Sequence, residues 1–513
     1  MTEHPLYRRL AADIDCFEAA AQAFTQGELD KKAYKGISGG FGSYAQRDPA
    51  KHMLRLRMVG GHVTKEKLRF IAESVERWGI TRLKLTTCQT VQLHDLPAGA
   101  LGPLMRAALE AGIVTRGGGG DHPRSIMVSP LSGVEQGEYF DVRPWAETAN
   151  AYLLSRMLDL HMPRKLKVAF ANGPKNETHA TFRDLGFLAQ ADGTFRVYCA
   201  GGLGPNPKMG VLVAEQAQPQ DVAYYIDAML RVFTAFGNYD NRARARTRYL
   251  QDTLGPEGLK AEFAKALQEA RKEDLTEHCL PTVVDKQPDG QAAGPRVIAQ
   301  KQPGLYAVSY HPIGGLLPPE LPRALCETIR EMPAVEVRIG PDETLYVINL
   351  AGREVPAVLA ATQGGAETLF ETSVACIGAA VCQQGVRDSQ KLLRTLVEAA
   401  RQAGFADGVL PRVHISGCPS SCGTHQVGTL GLVGGVKLVD KAPQPAFSVL
   451  LYGEAAAGRE RFGTPLGAML EEDLPAFFTA LGNAVAAGNT TFAAWLPGHE
   501  EALRALAAPY LKA

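Results

Sequence analysis

Four of the nine cysteines are grouped in a way that suits metal chemistry. Cys376 and Cys382 have five residues between them, Cys418 and Cys422 have three, and a helix-sized segment separates the pairs. Thiolates so spaced can converge on a metal or an iron–sulfur cluster. A zinc ribbon prefers two-residue gaps in both pairs, so zinc fits less well than a cluster. The surroundings agree. SGCPSSCG reads as a tight turn after a β-branched strand. ACIGAAVCQQG leads into a helix beginning near Asp388, whose N–H groups and dipole favour an anionic cluster. The isolated Cys16, Cys88, Cys199, Cys279 and Cys326 read for the most part as small hydrophobes.

The second chemistry is cationic. In HMLRLRMV, Arg55 and Arg57 share one face, with Leu54, Leu56 and Met58 on the other. In RKLKVAF, Lys165 and Lys167 stand opposite Leu166 and Val168, and in the strand after Arg82, Cys88, Gln92 and His94 share a face. Singly, each pattern is that of a solvated strand face. Together with Arg124 in GGGGDHPRS they can line one pocket for a multiply charged anion. Arginine offers an oxyanion fork, and lysine a point charge and a transferable proton. Arg242, Arg244, Arg246 and Arg248 in NRARARTRY read first as an exposed charged element and second as counter-ions for a polycarboxylate. GGFGSYA (Gly39 to Ala45) lacks the preceding strand of a dinucleotide turn. GGLGPNPKMG (Gly201 to Gly210) reads as a backbone loop able to approach a ligand closely. With no dinucleotide site visible, reducing equivalents are expected from another protein.

The elements that must position these residues recur. MLRLRM, Gly60-Gly61, a helix over about Lys65 to Trp78, the strand LKLTTCQTVQLHDL and a helix near Pro103 to Glu110 make up the first set. GLYAVSYHP, Gly314-Gly315, a helix over about Leu321 to Glu331, the pair VEVRIGPDETLYVINL and a helix near Pro356 to Ala361 repeat it. A helix from Trp145 to Leu158 leads to MPRKLKVAF, and one from Ser389 to Ala403 leads to LPRVHIS. This is duplication of a whole α/β half, with a site expected between the halves. The Pro-, Gly- and Gln-rich stretch from about Leu275 to Pro303 reads as the linker.

The 513 residues suit roughly three or four domains. With 54 basic and 54 acidic side chains, the balanced charge argues against a nucleic-acid partner. No apolar stretch has the length of a membrane span, and the first residues lack a signal core, so a cytoplasmic protein without a membrane partner is expected. An odd cysteine count in such a chain is no disulfide framework.

These residues resemble a known family. The C-x5-C and C-x3-C pairs, with MLRLRMVGG, LTTCQTVQLHDL, GGDHPRSIMVSPLSG, PRKLKVAF and GGLGPNPKMG in that order, resemble the siroheme- and 4Fe–4S-dependent sulfite and nitrite reductases over roughly residues 35 to 450. The resemblance implies an α+β (α/β) fold of pseudo-twofold duplicated halves, with paired ferredoxin-like half-domains and two larger α/β domains. The expected units are an N-terminal segment (1–47), a half-domain (48–120), a siroheme- and substrate-binding domain (121–275), a linker (276–303), a second half-domain (304–371) and a cluster- and siroheme-binding domain (372–513).

It further implies that Cys376, Cys382, Cys418 and Cys422 hold the cluster and that Cys422 also ligates the siroheme iron. Arg55, Arg124, Lys165 and Lys167 match the residues that bind the oxyanion and deliver protons. Gln92 and His94 match contacts of the siroheme region, and Lys208, Gly201, Gly202 and Gly204 match a cradle for its carboxylates. A ferredoxin or a separate flavoprotein would be the electron donor. Two positions depart from the family. Cys88 stands where an arginine is usual, and Ser420 where many sulfite reductases have asparagine. Because Lys165 and Lys167 are both present, the expected reaction is six-electron reduction of sulfite to sulfide, with nitrite to ammonia as the alternative. A non-catalytic iron–sulfur electron-transfer protein is a second alternative, and a structural zinc protein a third.

Overall fold

In a computed structural model covering residues 5–276, 279 and 283–511, the strands form four sheets of five strands each. Parts of the expected 276–303 linker, the start of the 1–47 segment and the end of the 372–513 domain lie outside the described residues.

Two sheets are small and antiparallel. One runs Ser43–Ala45, His52–Leu56, Val91–Leu96, Leu83–Leu85, Leu316–Leu317; the other runs Val297–Ala299, Leu305–Tyr310, Leu345–Ala351, Glu336–Ile339, His62–Val63. Each therefore takes its last strand from the other half of the chain. The loan depends on the paired glycines. Gly60 and Gly61 have φ of +54° and +69°, and Gly314 and Gly315 have +61° and +69°. A Cβ on Gly61 would stand 2.3 Å from the Ile339 carbonyl oxygen, so a side chain there is excluded. The two sheets and their helices, Lys65–Trp78 and Leu321–Ile329, share one continuous core running from Ile14 to Val358. Thr64 caps the first of these helices by accepting from Lys67 N.

The larger sheets are copies of one another. Met127–Val128, Val168–Ala171 and Leu185–Ala189 run parallel, followed by antiparallel Phe195–Cys199 and Val211–Ala217. Val374–Ala375, Val413–Ser416 and Leu430–Val439 run parallel, followed by antiparallel Ala442–Leu451 and Thr464–Leu470. A helix joins the first two strands of each (Arg143–Arg156 and Ser389–Ala403), and another follows the last strand (Val222–Phe236 and Leu474–Ala487). Each copy has its own apolar core.

Four local expectations change. LKLTTCQTVQLHDL is two strands, Leu83–Leu85 and Val91–Leu96, folded back at Thr86 to Thr90. The turn contains no glycine; Gln89 adopts φ +55° because its amide bonds the Val128 and Ile339 carbonyls at 2.7 and 2.8 Å and accepts from Val128 N. Cys88 thus sits at a turn tip, off the face of Gln92 and His94. In MPRKLKVAF the regular strand is confined to Val168–Ala171. Lys165 and Lys167 precede it in an extended run pinned by one bridge, Pro123 to Leu166. The expected linker ends in a paired strand, Val297–Ala299. The N-terminal segment contributes helices Pro5–Thr25 and Lys31–Gly40. Among the described residues no helix is long and apolar enough to cross a membrane.

Candidate functional site

The loops that carry the singled-out residues meet between the halves. Thr87 at the turn donates to the Cys422 carbonyl at 2.9 Å. Gln426, after the second cysteine pair, donates to the Gly204 carbonyl at 2.9 Å, tying the glycine loop to the cysteine turn. Arg47 N donates to the Val381 carbonyl, and Gln383 Nε2 to the Gln46 carbonyl, each at 2.9 Å, clamping the first cysteine loop to the first half.

The four cysteines converge. Cys376 Sγ accepts from Gly417 N at 3.1 Å and lies 3.1 Å from Ser389 Oγ. Burial pushes Cys422 up to about 11, with Cys376 and Cys418 adding to it while Lys165 and Lys167 oppose it. Cys382 is raised by burial, with Cys422 and Cys418 adding to it. Cys422 is exposed at its surface yet closely surrounded by protein. Among the described residues no three His, Cys, Asp or Glu groups are close enough to hold a single ion. Four thiols brought together are a donor set that suits an iron–sulfur cluster. The helix expected to offer its N–H groups is instead capped by Asp388, which accepts from Gln390 N and Lys391 N; at that terminus Ser389 Oγ lies against the Cys376 sulfur, and Gln390 Nε2 donates to the Cys376 carbonyl at 3.0 Å.

The cations gather beside Cys422. Arg55 donates to the Gly118 carbonyl at 2.6 Å, and Arg124 to the carbonyls of Gly117 and Gly120 at 3.0 and 2.8 Å and to that of Gly119. None of these partners is a carboxylate. Lys165 has no hydrogen-bond or ion-pair partner among the described residues. Burial lowers it well below the ordinary lysine range, and Arg246, Lys167, Arg124 and Arg164 lower it further. Lys167 Nζ lies 3.4 Å from Cys88 Sγ. Burial pushes that thiol up, but Lys167, Arg183 and Arg55 outweigh it and leave Cys88 at about 6, so it is a thiolate at neutral pH. Cys88 is therefore an anion among cations, where the sequence suggested the simple loss of one cation.

Gln92 and His94 stand behind Arg55. With its amide oriented to suit its neighbours, Gln92 accepts from Arg55 Nε and Nη2 at 3.2 and 2.6 Å and donates to His94 Nε2 at 3.2 Å; His94 Nδ1 meets Gln46 Oε1 at 3.1 Å. Burial, with Arg82, Arg55 and Lys84, holds His94 down at about 3, so it is neutral. Both residues orient the arginine. Gly204, at φ +123°, faces Arg248, whereas Gly201 packs against the Phe182 backbone. Lys208 is engaged in an ion pair with Asp252. NRARARTRY divides: Arg242 and Arg244 are exposed, whereas Arg246 pairs with Asp184 at 3.0 Å and Arg248 is buried. Sequence reasoning missed Arg183, a buried neighbour of Cys88 and Lys167, and Tyr44, which accepts from Gly120 N at 2.8 Å beside Arg124. Arg183 sits in an irregular turn with no periodic pattern to point to it.

The chain is similar to known proteins in sequence and in fold. Residues 119–271 match the sequence model of the nitrite and sulphite reductase 4Fe-4S domain, and residues 44–111 and 298–364 that of the nitrite/sulfite reductase ferredoxin-like half domain. The four cysteines lie outside those spans, in the second large copy. A ferredoxin–nitrite reductase of Leptolyngbya laminosa is 27% identical over 444 residues, covering 83% of this chain and 84% of the relative. A sulfite reductase [NADPH] hemoprotein beta-component of Anoxybacillus flavithermus is 24% identical over 442 residues, covering 75% and 74%. The Mycobacterium tuberculosis NirA protein shares the fold at a TM-score of 0.76 and 21% identity, over 94% of this chain and 93% of that one.

Proposed function

From the premise that the chain belongs to the nitrite and sulphite reductase family, oxidoreductases that work with siroheme and a 4Fe–4S cluster, we propose that it reduces nitrite to ammonia in a six-electron reaction. The observation that carries this is the cluster of Arg55, Arg124, Lys165, Lys167 and Arg183, set against two anions, the Cys88 thiolate and the Asp184 carboxylate that Arg246 already pairs. Buried like charges are costly when unpaired, and an anionic ligand removes the cost.

Cys376, Cys382, Cys418 and Cys422 would hold the cluster, with Cys422 also turned toward the tetrapyrrole iron. Arg248 and the backbone at Gly202 and Gly204 would face the siroheme carboxylates. The bound cofactors supply the electrons. This chain's residues do the rest. Arg55, fixed by Gln92 and the Gly118 carbonyl, and Arg124, fixed by three carbonyls, present preorganised donors to the oxyanion and to the charge that grows as N–O bonds break. Lys165, its ammonium weakened by burial and neighbouring cations, gives up a proton readily.

Nitrite is favoured because the reason for sulfite has weakened. Two lysines suit a dianion, but Cys88 neutralises Lys167 at 3.4 Å. Sulfite reduction is the second reading, supported by the presence of both lysines and by the hemoprotein relative. The ferredoxin-named relatives support a ferredoxin-type donor. The test is steady-state reduction of nitrite and sulfite side by side with reduced ferredoxin, the visible spectrum being recorded on the same sample. Nitrite turnover exceeding sulfite turnover is expected. The reverse order would select sulfite, and neither activity in protein with a full tetrapyrrole band would end the reductase reading.

A further inference from the structure

The duplication gives each loop of the anion pocket a mate. The turn at Thr86 to Thr90 corresponds to the one at Gly340 to Thr344, the run before Val168 to the one before Val413, and the cysteine turn after Ser416 to the loop after Asn172. These mates enclose a cleft of about 480 Å³, lined among others by Glu177, His179, Asp342, Arg412, His414 and Thr424.

The cleft is no second anion pocket. Arg412 pairs with Asp342 at 3.1 Å and donates to Thr372 Oγ1 at 2.9 Å, and Lys175 pairs with Glu135. Its unused chemistry is protonic. Glu177 has no ion-pair partner among the described residues. Burial, Glu135 and Asp342 raise its carboxyl to about 7 against the opposing pull of Lys175 and Arg412. His414 is held neutral near 4 by burial and Arg412, with Asp342 and the Gly423 N–H opposing and His425 reinforcing; its Nδ1 meets Thr424 Oγ1 at 2.8 Å. His179 stands on the dividing wall. It lines the cleft on one side, and on the other its Nδ1 accepts from Arg183 Nη2 at 3.3 Å, beside Lys167.

We propose that this cleft is the port through which protons reach the anion pocket, Glu177 taking them from solvent and His179 forming the wall they pass. This rests on the reductase reading, because reducing an oxyanion to ammonia or sulfide consumes protons throughout. Lys167 gives its ammonium proton to the bound substrate. The amine is reprotonated by a proton that leaves the Glu177 carboxyl and passes the wall at His179. The carboxylate left behind is protonated again from water in the cleft, so the enzyme returns to its starting charge. Glu177 is a positioning residue for protons and touches no substrate.

The experiment measures holoenzyme turnover of nitrite with reduced viologen from pH 5.5 to 9, for wild type, Glu177→Gln, Glu177→Asp and the plugging variant Ala456→Trp. A wild-type inflection near pH 7 is expected. In Glu177→Gln the inflection should vanish and turnover at pH 6 fall about tenfold, with KM for nitrite unchanged and imidazole buffer restoring the rate. Glu177→Asp should keep the inflection. Ala456→Trp should be slowed without rescue by imidazole. A Glu177→Gln profile that parallels wild type, or a uniform loss without rescue, overturns the proposal. An infrared titration of the same holoenzyme provides a readout apart from turnover. A carboxylic acid band with a midpoint near pH 7, lost in Glu177→Gln, supports the port, and its absence overturns it. Wild type that shows this band but reduces neither anion refutes the reductase reading, and with it the port.

Discussion

The anion pocket and its mate cleft are built by the same turns on two copies of one sheet, and they differ in how their charges are balanced. In the pocket Arg55, Arg124 and Lys165 have carbonyl partners or none, and Lys167 faces the Cys88 thiolate, with the Asp184 carboxylate shared with Arg246. In the cleft each cation has its carboxylate. The backbone therefore does not make a site reactive. Withholding counter-ions does, because buried cations left unpaired store a cost that an incoming anion relieves.

The largest expected effect that would break this comparison is at the cysteines, which the cleft lacks. Cys422→Ser should abolish visible cofactor absorption and bring turnover to background, whereas Glu177→Gln in the mate loop should leave the spectrum intact. Full activity in Cys422→Ser would refute the assignment of that sulfur. Next come the matched cations. Lys165→Met should lower kcat/KM for the oxyanion about 100-fold. Arg412→Met should leave KM for nitrite unchanged but cost about 1–2 kcal/mol of stability in denaturant melts, because Asp342 and Thr372 lose their partner. Equal kinetic effects would erase the distinction between the two sites.

The smallest effect sharpens the chemistry of Cys88. Cys88→Arg should raise the sulfite-to-nitrite ratio of kcat/KM about tenfold, or roughly 1.4 kcal/mol. An unchanged ratio would remove the reason for preferring nitrite. Alkylation of wild type by iodoacetamide should titrate with a midpoint of about 6. The folded value lies below the ordinary thiol value of 9.0, so the thiolate's stabilisation is complete above 9.0 and is lost as pH falls through about 6. The stability gap between wild type and Cys88→Ser should therefore narrow from pH 8 to pH 5.

Local spacing made much of this legible. The helix Ser389–Ala403, the cysteine pairs and the alternation of Lys165 with Leu166 are all written within a few residues. The turn at Thr86 to Thr90 was not readable, because Gln89 is held there by carbonyls of residues 128 and 339. Arg183 and the Cys88 thiolate escaped notice for the same reason: their character comes from neighbours far along the chain. The mate cleft was implied by the repeat, but its proton chemistry depends on Glu177 meeting Glu135 and Asp342 in space.

The reciprocal two-residue strands, His62–Val63 and Leu316–Leu317, carry one more consequence. Neither half owns a finished border. Expressed alone, either would present a raw sheet margin, open to any extended peptide and prone to self-association. Two fragments cut between Pro288 and Arg296 and produced together should instead find each other, each supplying the hem the other lacks.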